Sequence, residues 1–529
     1  MTHTSVLVVG GGLSGLTTAV MLATRGIPCL LVERHAGVAR HPRARSVNVR
    51  TMELMRSVGL EAPLVAAGDD RFADFSIVIA ESVTGRVHRT LLQPGQFDTR
   101  AVSPAPHSAA GQDRVEAILK RTAEERGADV RYATELVDLR QDGEGWTAVI
   151  RDLGSGIEQT VAAPYVVAAD GGRSSLRQRL GIRVSGHGTL SHNIGVVFES
   201  AAGLPTAGRG LALFYLQNPG FTGAYVTTDE PNRALISVEY DPRVQDVADF
   251  DEARCAALVR AAVGIDDLPV RILEIASWEM ATRVAERLVA GRMLLVGDAA
   301  HTMPPTGGLG GQTAMQDGFD VAWKLAMVLR GQAGPGLIET YEAERLPVAR
   351  LTVALQTDNY VRRMRPDRAD LLSSVPCDYV EVALGYRLRS AAISIEEPDD
   401  GELCEDPVSP SGRPGTRMPQ TPLRRAGMPC TPWDLIGEGF LLMVGPEGVA
   451  WPEAVERLGR AGDLPLRLMR LGEDLEDPDG RWADDFGVAP DGAVLIRPDG
   501  YVAWRARTGD PSDLRPALER ALCRTLDGA

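Results

Sequence analysis

An unbroken apolar run at positions 5–9 opens the chain, the pattern of a parallel strand covered on both faces. An amphipathic stretch over 16–25 follows and stops at Gly26, a residue suited to the position after a helix end. A second apolar strand over 27–32 closes on Glu33. The same buried-strand pattern returns at 166–169 and at 293–296, each time ending in a glycine-rich turn that carries an aspartate, and a long amphipathic helix runs on to Leu329 after the second. Residues 180–279 alternate apolar and polar positions instead, as in Phe221-Thr222-Gly223-Ala224-Tyr225-Val226, and read as antiparallel strands. With 72–106 they would form one sheet, a short helix over 251–263 lying on its outer side. Pro, Gly and charge dominate 398–427, which reads as a linker. Beyond it the pattern predicts a strand at 440–444, a helix at 452–460 and a hairpin joining 494–497 to 501–505.

The 529 residues suggest several domains, each large enough to bury a core. Of these residues 44% are hydrophobic and 24% charged, as in soluble globular proteins. A net charge of -15 argues against sequence-independent binding to nucleic acid, which needs a basic face. No apolar run is long enough to span a membrane, and no signal peptide is expected ahead of the first strand. Six scattered cysteines form no C-x-x-C pair and no zinc spacing, so a reducing, cytoplasmic setting is expected, with no metal.

The first turn, Gly10-Gly11-Gly12-Leu13-Ser14-Gly15, supplies G-x-G-x-x-G between a strand and a helix, and Glu33 stands 18 residues beyond Gly15. Gly10 would permit the tight turn, Gly12 the approach of a pyrophosphate and Gly15 close helix packing. The helix N-terminus would face the phosphates, and Glu33 the ribose hydroxyls of a dinucleotide. Arg34, next to that acid, leaves the choice between NAD and FAD open.

Further motifs narrow the choice. Asp170-Gly171-Gly172-Arg173 and Gly297-Asp298-Ala299-Ala300-His301-Thr302-Met303-Pro304-Pro305-Thr306-Gly307-Gly308-Leu309-Gly310-Gly311-Gln312 follow the first motif in order. Together they resemble the class A FAD-dependent aromatic monooxygenases, similar to para-hydroxybenzoate hydroxylase. Phe214-Tyr215-Leu216, Val238-Glu239-Tyr240-Asp241-Pro242 and Leu384-Gly385-Tyr386-Arg387 are most similar to the aromatic polyketide hydroxylases, such as aklavinone hydroxylase.

The resemblance implies an α/β fold with three parts. A Rossmann-type FAD-binding domain would comprise 1–71, 107–179 and 280–397, an inserted β-sheet substrate domain 72–106 and 180–279, and a linker with a thioredoxin-like domain 398–529. It also implies roles: Asp298 on the flavin ribityl chain, Pro305 against the isoalloxazine ring, and Gly308, Gly310 and Gly311 presenting N–H groups to flavin N1 and the C2 carbonyl. Asp170 and Gly171 would serve FAD and NAD(P)H, Gln112 the FAD chain, and Arg43 and Arg45 the pyrophosphate and flavin. Gln312 departs from the Asn expected of relatives, which puts its flavin contact in question. Asp170 and Asp298 also fit helix N-caps, and Arg43 and Arg45 solvated surface positions. Past 398–427, Cys430 is the one cysteine before the first helix of the tail, which speaks against thiol–disulfide exchange there.

The implied reaction is NADPH- or NADH-driven hydroxylation of a polycyclic aromatic polyketide by molecular oxygen, through a C4a-hydroperoxyflavin. Tyr215 and Arg387 are the candidates for activating the substrate phenol, with Arg45 and Pro305 completing the catalytic set and Tyr225 and Tyr386 as weaker alternatives. A strand tyrosine and a surface arginine remain structural alternatives for the first two. Baeyer–Villiger insertion or oxidative ring rearrangement suits the same motifs. An FAD dehydrogenase or a non-catalytic flavin-binding protein are the readings from other classes, and monomer and homodimer are both open.

Overall fold

In the computed structural model, which describes residues 1–39, 44–68, 75–93, 98–143, 145–206, 212–228, 230–459 and 465–526, Val6–Val9 lies inside a six-stranded sheet. Its neighbours are the parallel strands Cys29–Val32 and Tyr165–Ala168, and the latter pairs in parallel with Met293–Leu295. Parallel register brings the C-terminal ends of three strands to one edge. The turns at Gly10, Asp170 and Gly297, far apart in sequence, therefore converge there, where open α/β sheets bind ligands. The first helix begins earlier than its apolar pattern indicated, at Leu13, so the glycine motif itself forms its N-terminus.

The second large sheet has eight strands, including Ser76–Ala80, Val184–Glu199, Ala212–Asn218, Phe221–Thr227, Arg233–Tyr240 and Arg271–Ala285. Alternation sorts its side chains. Val78, Phe214, Tyr225, Ile236 and Val196 point into a core shared with Val259 and Val263 of the helix Glu252–Val263. A further four-stranded sheet built from Thr2–His3, Thr134–Asp142, Gly145–Asp152 and Glu158–Ala163 has no counterpart in the pattern reading.

The tail forms a four-stranded sheet in which Phe440–Val444 runs parallel to Leu466–Arg470 and antiparallel to Ala493–Ile496. It docks on the nucleotide-binding domain through buried charge. Lys324 Nζ meets Asp320 Oδ2 at 2.9 Å and Glu344 Oε2 at 2.8 Å, and Arg497 Nη1 meets Glu344 Oε1 at 2.6 Å. Asp320, Glu344 and Asp499 place ligand atoms within 4.8 Å of one another, and Lys324 and Arg497 set two positive charges among these three carboxylates. Trp323 is wholly buried in the same region, edge-on to Phe440, as expected of core packing. Nor is 398–427 a loose linker: Thr416, Met418 and Thr421 are buried, and Arg417 Nε reaches Glu53 Oε2 at 3.0 Å.

One docking contact titrates. Burial would raise the Glu396 carboxyl, but hydrogen bonds from Arg505 and Arg507 outweigh burial and hold it at about 2. A depressed carboxylate stabilises the fold above its ordinary value and loses that contribution as pH falls toward the folded value. Thermal melting should therefore weaken between about pH 4.5 and about pH 2, and by less in Glu396→Gln, whose melting curve checks the contribution.

Candidate active site

Gly10 leaves its strand at φ +110°, and a Cβ there would stand 2.2 Å from the Ala169 carbonyl oxygen, so the crossing between the two strands requires glycine. A Cβ on Gly15 would fall 2.0 Å from the Gly10 carbonyl. At Gly12 the nearest atom among the described residues is Glu116 Oε1, at 4.0 Å. The backbone at Gly12 thus borders open space at the N-terminus of Leu13–Thr24, where N–H groups and the helix dipole favour a pyrophosphate. Leu13 and Ser14 are buried beneath it.

Glu33 sits over the same loop. Its Oε2 accepts from Gly11 N–H at 2.7 Å and its Oε1 bonds His35 N–H at 2.8 Å and His35 Nδ1 at 2.5 Å, which leaves one Oε2 lone pair for a ribose hydroxyl. Arg34 is exposed beside it, and Arg43 lies outside the described residues. Arg45 Nη1 is 3.5 Å from the place of a Gly111 Cβ, at the start of the helix Gln112–Glu125. The Gln112 side chain is spent on protein: Oε1 accepts from Ala44 N–H at 3.3 Å and Nε2 donates to Glu116 Oε1 at 2.7 Å. Glu116 Oε2 also accepts from Ala39 N–H at 2.8 Å, so Gln112 and Glu116 shape the chain around the cradle.

At the third strand end, Asp298 is exposed between buried Gly297 and Ala299. The turn is anchored from behind by Asp317, whose Oδ2 accepts from Gly297 N–H at 3.1 Å and pairs with His301 Nε2 at 2.7 Å, while Oδ1 accepts from Arg345 Nε at 2.8 Å. Burial would raise the Asp317 carboxyl, but His301 and Arg345 outweigh it and lower it, so the anchor stays ionised. The Pro305 carbonyl accepts from Gly307 and Gly308 N–H at 2.9 and 3.2 Å, which leaves the exposed Pro305 ring on the outside of a tight turn. Gly308 (φ +69°) then leads into the helix Gly310–Leu329, whose first-turn N–H groups belong to Gly310, Gly311 and Gln312.

Three side chains are engaged elsewhere than the resemblance implies. Gln312 turns away from this helix entrance: Oε1 accepts from Asn48 N–H at 3.0 Å and Nε2 donates to the Ser46 carbonyl at 2.7 Å, so its longer amide braces 46–48. Asp170 accepts from Ser174 Oγ at 2.5 Å and Leu176 N–H at 3.1 Å, bracing Ser174, the N-cap of the helix Ser175–Arg179, while Gly171 (φ +81°) makes the turn before the cap. Arg387 is neutralised by two carboxylates, Asp400 and, at 3.3 Å, Asp399, so its charge is committed to the 398–413 segment and not to a phenol.

Of the tyrosines, Tyr225 points into the core under the sheet, bonded to Thr206 Oγ1 at 2.9 Å. Tyr386 lies behind the helix Gly310–Leu329, where its hydroxyl accepts from Arg345 Nη1 and donates to Gln316 Oε1, each at 3.1 Å. Only Tyr215 among the three faces the other side of the sheet. Ile79, Ala224, Ser237, Gly195 and Ala276 stand in one cross-strand row with it, so beyond Tyr215 the row is made of small residues.

Arg363, which no motif marked, joins this face to the cofactor loop. Through Nη1 it donates to the Thr306 carbonyl, and its charge acts on the Tyr215 hydroxyl. Tyr379 donates to the Gly307 carbonyl at 3.0 Å, and Thr306 Oγ1 to the Gln356 carbonyl at 2.6 Å. Burial raises both phenols, with Arg363 partly offsetting it, and Tyr379 is pushed up to about 12, so both are protonated donors at neutral pH. Tyr379→Phe should remove one hydrogen bond from the loop, worth about 1 kcal/mol, and weaken FAD binding several-fold in a fluorescence titration.

The cradle at Gly10–Gly15, the acid at Glu33 and the helix entrance at Gly310 fit a dinucleotide with a flavin at its far end. A family profile described as "FAD binding domain" matches residues 3–356, and one described as "aromatic-ring hydroxylase, C-terminal" matches 411–525. Among curated proteins the chain is 42% identical to aklavinone 12-hydroxylase of Streptomyces purpurascens, over 99% of this chain and 98% of that one. It is 40% identical to 4-methyl-5-nitrocatechol 5-monooxygenase of Burkholderia sp., over 98% and 97%. Among solved structures it is similar to aklavinone-11 hydroxylase in a ternary complex with FAD and aklavinone, with a TM-score of 0.92 at 40% identity over 98% and 99% of the two chains. The chain belongs to the FAD-binding aromatic-ring hydroxylase family of monooxygenases.

Proposed function

We propose that this enzyme uses NADPH or NADH to hydroxylate a polycyclic aromatic phenol of the polyketide class. The observation that carries the reading is Arg363: a cation tied to the cofactor loop whose charge acts on Tyr215, beside a row of small residues that leaves room for a flat ring system. The hydride-accepting and oxygen-activating chemistry belongs to FAD when bound. Gly10, Gly12 and Gly15 would admit the pyrophosphate, Glu33 the adenosine ribose and Asp298 the ribityl chain, while Gly308, Gly310 and Gly311 would direct N–H groups at the pyrimidine edge of the ring, where negative charge develops on reduction. Arg363 would lower the pKa of a phenol held against the Tyr215 face of the sheet and so raise the electron density of its ring. Protonated Tyr215 would orient that phenol and hold a proton at its own hydroxyl. The roof formed by the eight-stranded sheet would exclude water.

The nitrocatechol relative favours a second reading, a single-ring substrate. NADPH oxidation with an anthracyclinone-type phenol and with a substituted catechol separates the two. Stimulation and product with the polycyclic compound support the proposal, and stimulation by the catechol alone contradicts it. We also place the enzyme in the cytoplasm, a reading supported by its six free thiols; no helix among the described residues is long and apolar enough to cross a membrane.

A further inference from the structure

The charged residues of the helix Val49–Arg56 all meet the tail. Arg50 Nη2 donates to the Asp499 carbonyl at 2.8 Å, Glu53 Oε2 accepts from Arg417 Nε at 3.0 Å, and Arg56 Nε stands 3.4 Å from Asp434 Oδ1. Spaced three apart, they share one face of the helix. Arg50 is the costly one: a guanidinium only 2% exposed, in a first helical turn, where the dipole disfavours positive charge. The tail offsets that cost. Besides the Asp499 carbonyl, the Tyr501 and Trp433 rings have centroids 5.0 and 5.4 Å from the Arg50 Cζ, and Glu53 Oε2 lies 3.3 Å from its Nη1.

The other end of the same helix holds the entrance of Gly310–Leu329. Asn48 N–H and the Ser46 carbonyl bond the Gln312 amide at 3.0 and 2.7 Å, and Gln316 Nε2 donates to Thr51 Oγ1 at 3.3 Å. Ala44 Cβ is 3.3 Å from the place of a Gly311 Cβ. Residues 44–51 therefore pack along the turn that carries the Gly310, Gly311 and Gln312 N–H groups. We propose that Val49–Arg56 is a strut through which the tail positions those N–H groups, with Arg50 and Arg417 as positioning residues for the flavin.

Donors held in fixed places stabilise charge far better than donors that must first reorient. When a bound flavin is reduced, negative charge builds at its pyrimidine edge, where these N–H groups are directed. Slackening the strut lets them drift, which costs the reduced form more than the oxidised one and lowers the reduction potential. Lysine in place of Arg50 or Arg417 keeps the charge beside Glu53. It loses the planar fork with which one guanidinium bonds and stacks at once.

The full chain loaded with FAD is reduced in equilibrium with a reference dye, which gives its midpoint potential, while apoprotein stability is read from melting curves. In Arg50→Lys and in Arg417→Lys the expected potential is about 30 mV lower, about a tenfold change for two electrons and the size of one hydrogen bond to a charged group. Glu396→Gln loosens the tail away from the strut and should melt lower at the native potential. Native potentials in both lysine variants would overturn the strut and leave Arg50 and Arg417 as packing. An equal shift in Glu396→Gln would overturn it too, because any loosening of the tail would then act alike. Each lysine variant carries the test alone if the other fails to fold. The potential is read without a substrate, so its outcome is separate from that of the proposed hydroxylation.

Discussion

Arg363→Met protein is expected to fold and, with FAD at saturating concentration because its bond to the Thr306 carbonyl is lost too, to hydroxylate about 100-fold more slowly at neutral pH, because a cation within reach of a phenol lowers its pKa by about 1–3 units. The sign of the pH effect follows. Without the cation the phenol keeps its proton to higher pH, so the variant should recover as pH rises while the native enzyme changes little over the same range. Most NADPH consumed by the variant should yield no product, since an inert ring does not capture the oxidant. Tyr215→Phe should lose less, since Arg363 and its bond to the Thr306 carbonyl remain. Steady-state rates across pH, with product counted against NADPH, test both variants. A flat, native-like profile for Arg363→Met would remove it from the site.

Gly12→Ala should separate cofactor binding from folding. The nearest atom to its missing Cβ is 4.0 Å away, so the apoprotein should melt like the native one. A methyl group there occupies the place where the pyrophosphate must approach, and FAD affinity should fall by about 100-fold, or about 2.7 kcal/mol. Gly15→Ala should behave differently, because its Cβ would lie 2.0 Å from the Gly10 carbonyl and force strand and helix apart, damaging fold and binding together. Circular dichroism melts of the apoproteins with fluorescence titration by FAD distinguish the two. Native affinity in Gly12→Ala would mean that the phosphates lie elsewhere.

What could be read from the chain follows from how local each feature is. Gly10, Gly15 and Glu33 announce themselves because one turn and two strands contain their whole geometry, and parallel register carries the turns at Asp170 and Gly297 to the same edge. Arg363 was not legible. It stands at the end of the helix Gly336–Met364, in no motif of its own, and the contact that gives it meaning reaches 57 residues back to Thr306. Arg387 misled for the opposite reason: a suggestive neighbourhood drew attention to a guanidinium whose partners, Asp399 and Asp400, lie in a stretch that composition presented as linker. Gln312 shows the limit of motif transfer, since one added methylene lets the amide bond to 46–48. The Glu344, Lys324 and Arg497 network was equally invisible, because charge in a sequence reads as surface until tertiary packing pairs it.

The most direct test of the central claim is isotopic. Purified enzyme with FAD, NADPH and a polycyclic aromatic phenol is supplied with ¹⁸O-labelled oxygen, and the product is examined by mass spectrometry. The account predicts one labelled oxygen atom on the aromatic ring for each NADPH productively consumed. Product oxidised without oxygen gain, or carrying oxygen only from water, would contradict monooxygenation and point to dehydrogenation on the same fold.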